Sequence, residues 1–69
     1  MKGNHYLIEI GKRMRKIRKE KRVSIKEMHR ITGIAESHIT RTERWGVDMK
    51  ILTMKQIADV LKVDVKDFL

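Results

Sequence analysis

The 69-residue chain has no cysteine, no proline, only four glycines, and one each of Trp, Tyr and Phe. The missing cysteine removes disulfides, cysteine-based zinc sites and thiol catalysis together. Without proline and with few glycines, little interrupts a helix, and a chain rich in Lys, Arg, Glu, Ile and Met favours helices over strands. No apolar run approaches the ~18 residues of a transmembrane helix, and the N-terminus lacks a signal peptide's apolar stretch. The expectation is a cytoplasmic protein without a membrane partner. So few aromatics also speak against single-stranded RNA binding, which stacks bases on exposed rings. His5, His29 and His38 fall on three different elements without a zinc spacing, so no metal or other cofactor is expected. Glu36, Ser37 and His38 hold the residue types of a catalytic triad, but helical neighbours point in different directions, so no enzyme is expected.

What the chain does have is positive charge. Lys and Arg number 17 against 9 Asp and Glu, giving a net charge of +8. The excess is uneven: residues 1–22 carry nine basic and two acidic side chains, whereas residues 47–69 carry four of each. A basic N-terminal third suggests a polyanionic partner. A neutral, apolar C-terminal third suggests a contact with a partner or with another copy of the chain.

Apolar spacing predicts five helices in a single domain over 1–69. Leu7, Ile10, Met14, Ile17 and Lys21 share one helical stripe, predicting helix 1 over about 5–21. Lys12, Arg15, Lys16, Lys19 and Arg22 gather on its other side. Ser24 with Glu27 three residues later forms a capping box for helix 2, whose buried face is Ile25, Met28 and Ile31 and which ends at Thr32-Gly33. Glu36 to Arg44 makes a short third helix around Ile39, followed by a loop from Trp45 to Asp48. Ile51, Met54, Ile57, Ala58 and Leu61 predict helix 4 over about 49–62, with Asp48 as its cap and Thr53-x-x-Gln56 as a rival start. A last short helix follows Asp64.

Ser24 to Glu43 therefore reads as helix, glycine turn, helix, the helix-turn-helix pattern in which the second helix enters the DNA major groove. Around this motif the sequence resembles the lambda-repressor-like (Cro/repressor, Xre-type) family. The resemblance runs from Ile10 to Leu69 and is carried by Ile10 to Arg18, Val23-Ser24-x-x-Glu27-Met28, Gly33-Ile34, Ile39, Glu43-Arg44, Ile57-Ala58-x-x-Leu61-x-Val63 and Asp67-Phe68-Leu69. It implies an all-α, five-helix DNA-binding domain with its helix-turn-helix at about 25–44, acting as a homodimer on a palindromic operator. Carried onto this chain, the base-reading positions are Glu36, Ser37, Thr40 and Arg41. Arg41 suits bidentate bonding to guanine, a pairing worth ~1–3 kcal/mol of discrimination, and Glu36 suits cytosine N4. Phosphate contacts are expected from Lys12, Lys16, Ser24, His38 and Arg44. The family's pairing of a helix 1 arginine with a glutamate ending helix 3 falls on Arg18 and Glu43, as a structural salt bridge.

Four residues depart from the family pattern. Ile25 stands where a phosphate-touching Gln is common, and His29 where a small residue lets helix 3 approach, so His29 is expected to crowd that crossing. Thr42 replaces a large apolar residue, and Trp45, in place of a loop glycine, is expected to fold back half-buried over the gap. The rival use of Trp45 is a contact with the DNA backbone or a dimer partner. The C-terminal segment has more apolar side chains than a short helix must bury, so Val63, Val65, Phe68 and Leu69 are expected at a dimer interface.

The function expected is that of a sequence-specific transcriptional regulator of the repressor or Cro type. A restriction-modification controller or antitoxin of the same fold, and a protein-interaction adaptor that has lost base reading, are the alternatives. No small-molecule substrate is indicated.

Overall fold

A computed structural model describes residues 5–69; Lys2, counted in the basic N-terminal third, lies outside them. Four α-helices follow in order: α1 (His5–Glu20), α2 (Ile25–Thr32), α3 (Glu36–Trp45) and α4 (Ile51–Leu61). There is no strand among the described residues. The expected fifth helix is instead a single 3-10 turn, Val65–Phe68. Its bonds span three residues, Asp67 N–H to Asp64 O and Leu69 N–H to Lys66 O, and four residues are too few to build an α-helical ladder. Asp64 and Asp67 close the turn with their own carboxylates, which accept from Lys66 N–H and Asp64 N–H at 3.3 and 3.0 Å.

The core is built from Met14 of α1, Met28 of α2, Ile39 of α3, Met54, Ile57, Ala58 and Leu61 of α4, and Phe68 of the 3-10 turn, with Ile34 and Met49 from the connecting segments. Two residues expected inside are outside. Ile31 is 51% exposed because the chain reverses at Gly33, in the left-handed conformation (φ 79°), and Ile34 fills the apolar position instead. Ile51 is 57% exposed because Met49, three percent exposed, enters the core just before α4 begins. That entry also moves the start of α4: its N-cap is Lys50 without a side-chain bond, rather than Asp48 or Thr53. The Ser24 half of the capping box is present, with its Oγ accepting from Glu27 N–H at 3.0 Å. The Glu27 carboxylate lies 3.9 Å from the Arg30 guanidinium.

α1 meets α3 backbone to backbone. Gly11 is buried where a Cβ would collide with the Thr42 carbonyl oxygen, so only glycine permits this crossing. Gly46 ends α3 in the left-handed conformation (φ 69°), and a Cβ there would meet the backbone nitrogen of Ile8 at 2.6 Å. These two glycines set how closely α3 lies under α1. Gly11→Ala is accordingly expected to cost roughly 2–3 kcal/mol through overpacking that cannot relax, read as a lower urea midpoint with an unchanged slope.

Candidate nucleic-acid interface

The second helix of the motif spends one side on the core. Ile39, Thr42 and Glu43 are buried, and the remaining positions at helical spacing turn outward. Glu36, Ser37, Arg41 and Arg44 are exposed and Thr40 is half-buried. Ser37, Thr40, Arg41 and Arg44 stand three and four residues apart, so the fold gathers them on a single outward face with Glu36 at its tip. Arg41 rests along its own helix, its Nε donating to Ser37 O at 3.3 Å. That long, exposed bond leaves both Nη groups available and costs little to exchange for another acceptor.

Ala35 caps α3 without a side-chain hydrogen bond, and in the first turn His38 N–H donates to Ala35 O at 3.0 Å. At the start of α2, Ser24 uses its Oγ as an acceptor, which leaves the hydroxyl hydrogen free to donate outward. His38 is half-buried. Its carbonyl accepts from Thr42 Oγ1 at 2.8 Å. That bond explains how Thr42 replaces a larger apolar side chain at 1% exposure without an orphaned hydroxyl.

The Arg18–Glu43 pair binds the interface to the rest of the molecule. Arg18 Nε and Nη2 donate to Glu43 Oε2 and Oε1 at 2.7 and 3.0 Å, and Nη1 donates to Val23 O at 2.8 Å. Both residues are buried, so this is a bidentate, charge-assisted bond in a low-dielectric setting rather than a surface ion pair.

Two of the departures behave differently from expectation. His29 is exposed and does not crowd the helix crossing. Its Nδ1 lies 2.8 Å from Ile34 O, and because a carbonyl only accepts, Nδ1 carries the proton and bridges α2 to the turn. Trp45 is the last residue of α3, not part of a loop, and at 70% exposure it does not fold back over the core. On the helix it is turned away from the buried line of Ile39, Thr42, Glu43 and Gly46, which already closes against α1.

Trp45 stands instead at the edge of a groove of about 430 Å3 between α1 and the end of α3, lined also by Lys12, Arg15, Lys16, Lys19 and Arg44. The α1 side of this groove was visible as a spacing of three and four residues. Its α3 side was not, because it depends on how the helices cross.

The C-terminal residues divide. Phe68 is fully buried in its own core, which withdraws it from any dimer surface. Val63 and Val65 are half-buried against that core, and Leu69 is 60% exposed. Arg13 holds the segment to α1, its Nη1 donating to Leu69 O at 3.0 Å. Further exposed apolar side chains lie at Leu52 and Ile51 on the first turn of α4.

The profile of the Cro/C1-type helix-turn-helix DNA-binding domain matches residues 13–69. The fold is similar to that of the restriction-modification controller protein C.AhdI from Aeromonas hydrophila, with a TM-score of 0.84 and 21% identity, covering 91% of this chain and 96% of that one. None of the curated proteins compared matches the chain in sequence. No helix among the described residues is long and apolar enough to cross a membrane.

The buried pair makes a sharp stability prediction. Glu43→Gln strands the Arg18 charge and is expected to cost about 3–5 kcal/mol, whereas Arg18→Met with Glu43→Leu recovers most of that loss. Thermal and urea unfolding of the three proteins measures the difference.

Proposed function

The chain belongs to the Cro/C1-type helix-turn-helix DNA-binding family, and from that premise we propose that it is a sequence-specific transcriptional regulator of the repressor or Cro type. The observation that supports this reading is the outward face of α3, where Ser37, Thr40 and Arg41 lie side by side with Glu36 at the exposed tip. A major groove ~12 Å wide admits one helix, and its base edges distinguish all four base pairs. Arg41 takes guanine, Glu36 takes cytosine N4, and Ser37 and Thr40 contribute weaker choices. Lys12, Lys16, Ser24, His38 and Arg44 hold phosphates and so fix the register of α3 without selecting sequence.

Residues 1–69 form one DNA-binding domain in this reading. It acts as a homodimer on a palindromic operator, with half-sites about one helical turn apart. Val63, Val65 and Leu69 supply the contact between copies. A second reading has one observation in its favour, the likeness of fold to a restriction-modification controller. It makes the chain a restriction-modification controller and uses the same face of α3.

Selection of bound sites from a random duplex pool tests the proposal. Wild-type protein is expected to return a consensus with two related halves. Arg41→Ala is expected to relax one position of each half by about tenfold, consistent with ~1–3 kcal/mol per bidentate pair. Lys12→Ala is expected to weaken all sequences alike and to flatten the salt dependence by about one unit of log K against log salt. Equal loss on every sequence for both variants would remove α3 as the reader.

A further inference from the structure

Glu36 carries a charge that disfavours approach to DNA unless something on the DNA meets it. Four ion pairs hold acids against cations among the described residues, and Glu36 belongs to none of them. It is exposed at the first residue of α3, and Arg41, further along that helix, bonds Ser37 O instead. An acid in the first turn complements the helix dipole, a small effect that salt screens. Carried into a major groove, the same acid lies between two rows of phosphates and loses its water. An ionised carboxylate only accepts, so a desolvated Glu36 is tolerated only opposite a donor. The donors on the major-groove edge are adenine N6 and cytosine N4. Adenine sets its own N7 acceptor beside N6, whereas cytosine presents N4 with no acceptor of its own there.

We propose that Glu36 makes binding depend on the methylation state of the cytosine it meets: an N4-methyl group releases the protein, and a C5-methyl group does not. The inference rests on α3 entering the major groove with Glu36 on cytosine, and it adds a regulatory input to that site. The cytosine amino group has two hydrogens. Pairing with guanine O6 takes one, and the other points into the groove, where Glu36 accepts it. N4-methylation leaves a single hydrogen, and base pairing keeps that one, so the methyl carbon takes the groove position. Glu36 then faces an apolar group, and the paired guanine offers only its O6 and N7 acceptors. A lost contact has become a desolvated, unpaired charge, which costs more than the bond itself contributed. Methylation at C5 leaves the N4–H in place. It presents the methyl group that thymine also presents, and Thr40, one turn along the same face, brings a side-chain methyl suited to it. Occupancy of the site thereby reports one particular modification of the DNA rather than methylation in general.

Each cytosine of the selected consensus is replaced in turn by N4-methylcytosine and by 5-methylcytosine in synthetic duplexes, and the full chain is titrated against each at fixed salt. One position of the half-site is expected to respond. There N4-methylation of one half weakens wild-type binding by about tenfold, and of both halves by about a hundredfold, the size of a single mismatch counted once and twice. 5-Methylcytosine at the same position stays within about twofold of cytosine, well short of a mismatch. Glu36→Ala is expected to bind methylated and unmethylated duplexes alike. Its helix content stays unchanged, because the Glu36 side chain takes part in no ion pair of the fold. Any weakening of the duplex by the methyl group itself is shared by both proteins, so the comparison isolates the lost donor. If no cytosine responds to N4-methylation, or if the penalty survives in Glu36→Ala, the inference fails while the reading by α3 stands on the Arg41→Ala result. If 5-methylcytosine is as damaging as N4-methylcytosine, Glu36 does not read the amino group and the inference fails. If no sequence is selected at all, the inference and the proposed function fail together.

Discussion

Arg18 is the point through which the orientation of α3 is transmitted. One guanidinium bonds two oxygens of Glu43 on α3 and the carbonyl of Val23, immediately before the cap of α2. Three parts of the chain that are distant in sequence therefore share one planar donor group. Fork-to-fork geometry tolerates little rotation, so the angle of α3 to α2 is set by direction as well as by packing. A hydrophobic replacement could match the stability but would not reproduce that directionality. Gly11 brings α1 nearly into backbone contact with α3 at Thr42 and Glu43, next to this pair.

The consequence is a helix gripped along one side and at one end. Thr42, Glu43 and Gly46 fasten the C-terminal half of α3 under α1, while Glu36 and Ser37 project from the other end. Precision at the tip is gained by rigidity away from it, which is how a binding element on a regular helix differs from one on a loop. Charge follows a similar division. The cations concentrate on α1, beside the clamp, and the tip is acidic. Under the proposed function, attraction to a polyanion and choice among sequences would reside on different surfaces of a very small molecule.

Much of this was legible in the sequence because it depends on local rules. The periodicities of α1 and α2, the Ser24 cap and the left-handed Gly33 are set by residues within a few positions of each other. The failures occur where tertiary contacts decide. Ile31 and Ile51 fit a helical stripe but lie just past the edge of the core, and their places are taken by Ile34 and Met49 from segments with no periodicity to betray them. His29 is accommodated by a turn carbonyl whose position no spacing encodes. Trp45 was expected to fold back half-buried over the gap left by Thr42, yet Thr42 closes that gap itself by a hydrogen bond within the helix. The basic row on α1 could be read in advance, but the opposing wall of its groove could not.

Four of the five methionines form part of the core, Met14, Met28, Met49 and Met54, with exposures from 0 to 6%. In a chain without thiols, these thioethers are its main targets for oxidants. Met28 is wholly enclosed, so peroxide reaches its sulfur only when the helices separate. A sulfoxide formed in that interval is polar and has no hydrogen-bond donor to meet it in the apolar interior. Each opening under oxidising conditions therefore acts as a ratchet: the fold reseals only if its core has escaped modification, and repair depends on enzymatic reduction of the unfolded chain.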